Sequence, residues 1–403
     1  MSVYFDYNAT TPLAPEALEA MLPFLRGEYG NASSIHRPGQ RARAAVEKAR
    51  AQVAALIGCR SDEVTFTAGG TESDNLAIQG VMRGALRNPP GSRPHIITSA
   101  IEHHAVLHTC RAFEREDLAV TYMPVSNEGF VDPGEIRRAL RPETALITVM
   151  HANNEIGAIQ PIAEIAAIAR EAGVPFHTDA VQSVGKIPVS VEQLGVDLLS
   201  LSAHKFSGPK GVGALYVREG VELRPILYGG SREGEPRPGT ENVAGIVGLG
   251  AAAELAGGAL EEAATRLSSI RDRLEQEIIN AIEACGVNGT TDHLRRVPNT
   301  TNLHFDYIEG ESLVIALDLK GIACSTGAAC SSGAVEPSHV LLALGLSADR
   351  ARSSLRFSLG RETAEQDVDL LLRALPGVVD RLRELSPVAP PRVRTISATK
   401  LTA

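Results

Sequence analysis

The sequence predicts an α/β protein with a mainly parallel sheet between helices, joined to a smaller α+β domain. Short apolar runs alternate with helical patterns through most of the first 260 residues, which is typical of a parallel sheet covered by helices on both faces. The chain has 403 residues, more than one hydrophobic core usually holds. The alternation changes near Gly257 and Gly258, where we place the start of the second domain.

The elements follow in chain order. Strands are predicted at residues 63–67, 95–99, 144–150, 174–178, 196–201 and 211–217. Helices are predicted at 40–57, 162–172 and 261–284, the last with acidic residues at its start and a Cys-Gly stop. The resulting domains are a large one at 15–259, a small one built from 1–14 and 260–385, and a flexible tail at 386–403.

Composition indicates an ordinary soluble globular protein, with 44% hydrophobic and 22% charged residues. The net charge of -9 disfavours direct nucleic-acid or membrane binding. No apolar run approaches the length of a membrane span, and no signal peptide is visible. The five cysteines are scattered and form no zinc motif. We therefore expect a cytoplasmic protein without a disulfide framework or a metal.

Five of the six predicted strands end in polar groups. The ends are Gly69-Gly70-Thr71, Glu102-His103-His104, His151 to Glu155, Asp179 to Gln182, and Ser202 to Lys205. Taken singly, each has an ordinary structural explanation, such as a turn, a helix cap or a surface charge. Because carboxyl ends of parallel strands share one edge of a sheet, they should form one crevice. The crevice would hold an anion site at a helix start, a carboxylate, an imidazole and an amine. This set suits pyridoxal 5'-phosphate.

The chain also resembles the cysteine desulfurases, a class V branch of the fold-type-I pyridoxal-phosphate enzymes. The resemblance runs from about residue 4 to about residue 361 and rests on specific motifs. They are DYNATTP at 6–12, GNASSIH at 30–36, TAGGTES at 67–73, NNEIG at 153–157, DAVQS at 179–183 and SAHK at 202–205. The resemblance implies a seven-stranded sheet in the large domain.

The resemblance also implies roles for individual residues. Lys205 would bind the cofactor aldehyde and later move protons, and Asp179 would pair with the pyridine nitrogen. His103 would stack on the ring and shuttle a proton. Arg356 would bind the substrate carboxylate, which Asn154 would also contact. Gln182 and Asn154 would contact the ring oxygen of the cofactor. The phosphate would be held by Gly70, Thr71, Ser202 and His204. In a homodimer, Thr240 would reach the phosphate bound by the partner subunit.

The reaction is indicated by Cys330, which lies in a segment of small residues at 327–341. Such a segment cannot build a core, so we predict a mobile loop. The loop resembles the sulfur-carrying loop of NifS- and IscS-type desulfurases, in which the thiol takes sulfur from cofactor-bound L-cysteine, leaving L-alanine and an enzyme persulfide. The resemblance implies acceptors such as an iron–sulfur scaffold or a tRNA-thiolation protein.

Two rival functions remain open from the sequence. One is another class V reaction, such as selenocysteine lyase; the other is a non-catalytic sulfur-transfer scaffold, which we would expect to lose Lys205, Asp179 or Cys330. Two positions depart from the family pattern. Gly70 stands where many members have alanine, and Cys324 stands where a small residue without a thiol is common. A sulfur-relay role for Cys324 is a minor alternative, and we expect this thiol to be buried.

Overall fold

The computed structural model describes residues 3–86, 93–230, 237–327 and 336–390. Its main feature is a seven-stranded sheet, in which neighbours follow the order β2-β8-β7-β6-β5-β3-β4. The strands are β2 Val64–Thr67, β3 His95–Ser99, β4 Ala119–Met123, β5 Thr144–Thr148, β6 Phe176–Asp179, β7 Leu198–Ser202 and β8 Gly213–Val217. Only β8 runs opposite to the others in this sheet. The predicted α/β architecture with a mainly parallel seven-stranded sheet is confirmed.

Helices cover both faces of this sheet because neighbouring strand residues point to opposite sides. Ile96 packs in the core beneath α3 and α4, whereas Ile97 packs in the core on the other face. The helices of this part are α1 Pro15–Arg26, α2 Arg37–Ile57, α3 Gly70–Ala85, α4 His104–Arg115, α5 Pro133–Ala139, α6 Ile162–Ala172 and α7 Val191–Leu194.

A second core lies around smaller sheets. The strands β9 Cys285–Val287, β10 Thr300–Phe305 and β12 Ser354–Ser358 form an antiparallel sheet, and β1 Val3–Tyr4 pairs with β11 Ile322–Ala323. The helices α9 Gly310–Asp318 and α12 Glu365–Leu385 pack in this core. The helices α10 His339–Ala343 and α11 Ala348–Arg352 pack in a separate apolar cluster with Phe130 and Ile156. Phe5 and Phe357 meet edge to face in the second core, so the N-terminal segment packs among residues from the far end of the chain.

The long helix α8, Val243–Ala281, differs from the prediction of a helix at 261–284. It begins where the Asn242 side chain accepts a hydrogen bond from the Gly245 N–H. The Gly257-Gly258 step does not interrupt it, because isolated glycines weaken a helix by only about 1 kcal/mol each. The helix therefore crosses the predicted domain boundary at 259–260, and the division into domains stays a prediction.

By length and composition alone, α8 could also cross a membrane, contrary to our expectation that no apolar run is that long. The small residues of α8 instead allow it to pack closely against α2. A Cβ added at Gly250 would lie 2.7 Å from the Cα of Ala49 on α2. A buried core helix of a soluble protein can have the same length and composition as a membrane span, so these two properties do not distinguish them.

Candidate active site

The polar strand ends meet around one cavity of about 260 Å³ at the carboxyl edge of the sheet. Nine of the predicted site residues line it, namely Gly70, Thr71, His103, Asn154, Asp179, Gln182, Ser202, His204 and Lys205. Asp74, Met150 and Val181 complete the lining. The structure therefore brings the predicted phosphate, ring and amine residues together in one place.

Lys205 ends a short 3-10 turn that directly follows β7. Its Nζ donates to the carbonyl oxygens of Asn8 at 2.6 Å and Ala9 at 2.9 Å. Burial, together with the nearby charge of Arg356, lowers the pKa of Lys205 to about 8. A lysine held this way releases its proton more readily than one on the surface, which suits an amine that attacks a carbonyl.

The lowered pKa of Lys205 predicts how fast the cofactor-free protein captures an aldehyde. Only the neutral amine attacks, so the rate should rise with pH with a midpoint near 8, instead of near the ordinary lysine value of 10.5. The measurement is the growth of visible absorbance after adding pyridoxal phosphate across this pH range, normalised to the same reaction with a free amine. A midpoint at the ordinary lysine value would contradict the assignment.

Two carboxyl groups lie at the base of the cavity. Asp179 ends β6 and accepts a hydrogen bond from the Val181 N–H at 2.9 Å, which leaves its second oxygen for a ligand. Burial raises the pKa of Asp179 to about 6. Burial and the adjacent Asp179 raise the pKa of Asp74 well above the usual range. Because two like charges resist ionising together, Asp74 keeps its proton and Asp179 carries the negative charge.

His103 is both a helix cap and a group facing the cavity. Its Nδ1 accepts the Ala105 N–H at 3.1 Å at the start of α4. Desolvation and the nearby charge of Lys205 lower the pKa of His103 to about 4. The ring is therefore neutral near pH 7, with its proton on Nε2. One of its nitrogens and carboxylate oxygens of Asp74 and Asp179 all lie within 4.8 Å of one another.

The start of α3 forms an anion cradle. Its N-cap is Gly69, at φ 148°, which has no side chain to satisfy the first N–H groups of the helix. Beside it, a Cβ at Gly70 would lie 2.7 Å from Cγ2 of Val181. His204 directs Nδ1 to the Thr10 hydroxyl at 3.1 Å, which leaves its other nitrogen for the cavity. Thr71 and Ser202 supply hydroxyl groups beside the cradle.

Asn8 joins several site residues, although the sequence analysis gave it no role. Its carbonyl oxygen accepts from Lys205 and from Nε2 of Gln182. Its side-chain amide donates to the carbonyl oxygen of Asn154 at 3.0 Å and to the Thr300 hydroxyl at 2.8 Å. The only sequence signal for Asn8 is its place in the DYNATTP motif at 6–12, because its partners lie far away along the chain.

Arg356 does not line the cavity of about 260 Å³. It lies on β12, where it forms a 2.6 Å ion pair with Asp6 and donates to the carbonyl oxygen of Asn154 at 3.0 Å. Its Nε is buried and has no hydrogen-bond partner among the described residues. Its role in binding a substrate carboxylate stays a prediction, and the ion pair means that a substrate would compete with Asp6.

Thr240 is exposed and does not line the cavity, so its predicted contact with a partner's phosphate stays a prediction. Cys330 lies outside the described residues, as do residues 328–335 of the predicted loop. The last part of that segment is not a loop, because α10 begins at His339 and both Val340 and Leu341 are buried in an apolar cluster. Cys324 is buried after β11, as expected, and burial raises the pKa of its thiol to about 12. A thiol with so little thiolate is a poor nucleophile, which weighs against a sulfur relay.

The described residues on either side of Cys330 both lie against the carboxyl group of Glu155. The Ser338 hydroxyl donates to Oε2 of Glu155 at 2.6 Å. On the other side, a Cβ at Gly327 would lie 3.1 Å from the same oxygen. Glu155 is buried in the NNEIG motif at 153–157, and burial raises the pKa of its carboxyl group. Both flanks of the segment that carries Cys330 are therefore held close to Asn154 and the cavity.

The chain is similar to known proteins over nearly its whole length. The aminotransferase class-V family model matches residues 3–371. A cysteine desulfurase IscS of Dictyoglomus turgidum is 51% identical over 385 residues, covering 96% of each chain. Another, of Methanosarcina thermophila, is 50% identical over 395 residues, covering 98% of this chain and 96% of that protein.

Solved structures are also similar to this chain. A NifS-like protein superposes with a TM-score of 0.86 at 37% identity, covering 95% of this chain and 99% of that one. The structure of SspA in complex with cysteine has a TM-score of 0.78 at 36% identity, covering 90% of this chain and 100% of that one.

Proposed function

This chain belongs to the aminotransferase class V family as a cysteine desulfurase, and on that basis we propose how its own residues carry out the reaction. The observation that carries the proposal is the placement of Lys205, Asp179 and the Gly69-Gly70 helix start around one cavity. Enzymes of this family use pyridoxal 5'-phosphate. The cavity fits that group, because it offers an anion cradle without a capping side chain, a carboxylate with a free oxygen and an amine that loses its proton readily.

We assign the binding residues as follows. Gly70, Thr71, Ser202 and His204 would hold the phosphate, and Asp179 would accept a hydrogen bond from the pyridine nitrogen. Gln182 and Asn154 would contact the ring oxygen, and Lys205 would bind the aldehyde. When bound, the cofactor supplies an electron sink for bonds at the substrate Cα.

The protein groups then move protons and orient the substrate. Lys205, neutral above about pH 8, accepts a proton from the substrate Cα and returns one later. His103 presents Nε2–H to the cavity and exchanges that proton with the substrate. Arg356 binds the substrate carboxylate in place of Asp6, and its planar guanidinium matches that group with two hydrogen bonds.

Cys330 is the proposed sulfur acceptor. Its thiolate attacks the sulfur of bound L-cysteine, the carbon–sulfur bond breaks, and L-alanine leaves while the enzyme keeps a persulfide. The persulfide sulfur then passes to an acceptor protein, such as an iron–sulfur scaffold or a tRNA-thiolation protein. Identifying the proteins that take labelled sulfur from the charged enzyme would test this step, and transfer to none of these acceptors would overturn it.

We also propose that the enzyme is a cytoplasmic homodimer. The cradle at α3 opens into a wide cavity lined by Leu227, which is 46% exposed, and the neighbouring Tyr228 is 82% exposed. Large apolar side chains beside a binding site favour a covering subunit, from which Thr240 would reach the phosphate. Sedimentation gives the oligomeric state, and a monomer at working concentrations would refute the dimer. Cell fractionation tests the location.

The experiment for the function itself uses the purified protein with pyridoxal phosphate, L-cysteine and a reductant. We expect a visible absorption band that responds to L-cysteine, with alanine and sulfide formed in equal amounts. Pyruvate in place of alanine, or no cofactor band, would contradict the proposal.

A further inference from the structure

Lys186 is a part-buried lysine that the reaction described above does not use. It ends the turn that follows β6, four residues beyond Gln182. Its Nζ donates to Oε1 of Gln182 at 2.6 Å and to Oδ1 of Asn8 at 2.8 Å. Its side chain also lines an apolar cavity of about 120 Å³ behind the site, beside Leu267 and Leu359.

These contacts fix the orientation of the Gln182 amide. An amide can turn over and exchange its oxygen with its NH2 group unless its neighbours prevent it. The Asn8 carbonyl, which only accepts, receives Nε2–H at 3.0 Å, and Lys186 donates to the amide oxygen at 2.6 Å. Turning the amide over would set its oxygen against the Asn8 carbonyl oxygen. With Lys186 protonated, it would also set donor against donor.

The fixed amide has one free hydrogen. Its NH2 group carries two N–H bonds, and the Asn8 carbonyl takes one of them. Gln182 lines the active-site cavity, where the second N–H can donate to a ligand. The cofactor's ring oxygen carries negative charge and accepts such a bond.

We propose that Lys186 is a positioning residue that locks the Gln182 amide with its NH2 group toward the cofactor's ring oxygen. The proposal rests on the proposed function, because it assumes that pyridoxal phosphate lies in this cavity with its ring oxygen at Gln182.

The surroundings of Lys186 make a charged lysine unfavourable at this position. Burial lowers the pKa of Lys186 well below the ordinary value, and the charges of Lys205 and Arg356 act in the same direction. A buried amine beside two cations costs stability unless its hydrogen bonds compensate. Both acceptors of Lys186 belong to residues around the site, and the amine donates to them whether or not it is charged.

The test compares Lys186→Met with Lys186→Arg and with Lys48→Met, an exposed control on α2. Two readouts are used, the cofactor dissociation constant and the pH midpoint of the visible band. Without its lock the amide no longer presents a donor reliably, and the ring oxygen is less well stabilised. We expect about tenfold weaker cofactor binding and a midpoint raised by about one pH unit for Lys186→Met. Lys186→Arg keeps the donors and should stay within about twofold of wild type.

Two Gln182 variants make the test decisive. In a Gln182→Ala background, Lys186→Met should cause no further shift, because both act through the same N–H. Gln182→Glu places oxygen where the donor was, with Lys186 intact, and should raise the midpoint as well. A further tenfold loss in the double variant, or an unmoved midpoint in Gln182→Glu, would overturn the inference even if Lys186→Met folds poorly. A wild-type protein without any cofactor band would instead refute the proposed function.

Discussion

Replacing Lys205 by alanine should lower desulfurase activity by roughly 10³-fold or more, because one group both anchors the cofactor and moves the proton at the substrate Cα. Among the described residues, the change removes the only lysine amine in the cavity lining, together with two hydrogen bonds to the carbonyl oxygens of Asn8 and Ala9. The phosphate cradle and Asp179 stay, so the variant should still bind pyridoxal phosphate without a covalent bond.

The measurement is alanine formation from L-cysteine, with mass spectrometry after borohydride reduction to detect the covalently attached cofactor. Lys205→Arg is the matched control, since it keeps the positive charge but does not lose its proton at working pH. Both variants should lack the attached cofactor and both should be inactive. Activity within about tenfold of wild type in either variant would show that another group performs the proton transfer.

Replacing Cys330 by alanine should separate the reaction of L-cysteine with the cofactor from the transfer of sulfur to the enzyme. The residues that line the cavity are unchanged, so the variant should keep its cofactor band and the response of that band to L-cysteine. It has no thiol to take the sulfur, and we expect sulfide release to fall by at least about a hundredfold. The assay is reductant-dependent sulfide release, with detection of the protein persulfide by mass spectrometry.

Cys324→Ala is the comparison for this variant. Because Cys324 is buried and its pKa is raised to about 12, its loss should leave persulfide formation on Cys330 intact. Near-normal sulfide release in Cys330→Ala would refute Cys330 as the nucleophile. Loss of persulfide in Cys324→Ala would instead support the relay that its burial disfavours.

The fold and much of the cavity were predictable because their signals are local. A strand and the polar residues after it lie within a few positions, as with β7 and the segment from Ser202 to Lys205. The strand β4 was missed because its residues are only partly buried and lack a clear apolar run. The start of α8 was placed too late because a Gly-Gly pair indicates a break, while the close approach to α2 that favours small residues appears only in the folded chain.

The remainder of the site depends on contacts that no local pattern contains. Lys186 meets Asn8 across 178 positions, and Lys205 meets it across 197. Arg356 was predicted from the resemblance to the family. Its pairing with Asp6, across 350 positions, was not predictable, because it depends on the small sheet bringing both ends of the chain together.

The N-terminal segment sets the order in which the enzyme can mature. Residues 3–8 are synthesised long before their partners on β11 and β12, with Asn8 held by Ser358 across 350 positions. At usual translation speeds these partners emerge on the order of 20 to 70 s later. Until then Phe5 has no apolar core to pack into, and the carbonyl oxygens that accept hydrogen bonds from the Lys205 amine are not held in place. We therefore expect cofactor capture to be late and post-translational, and a nascent chain halted before β12 to be an aggregation-prone intermediate without a working site.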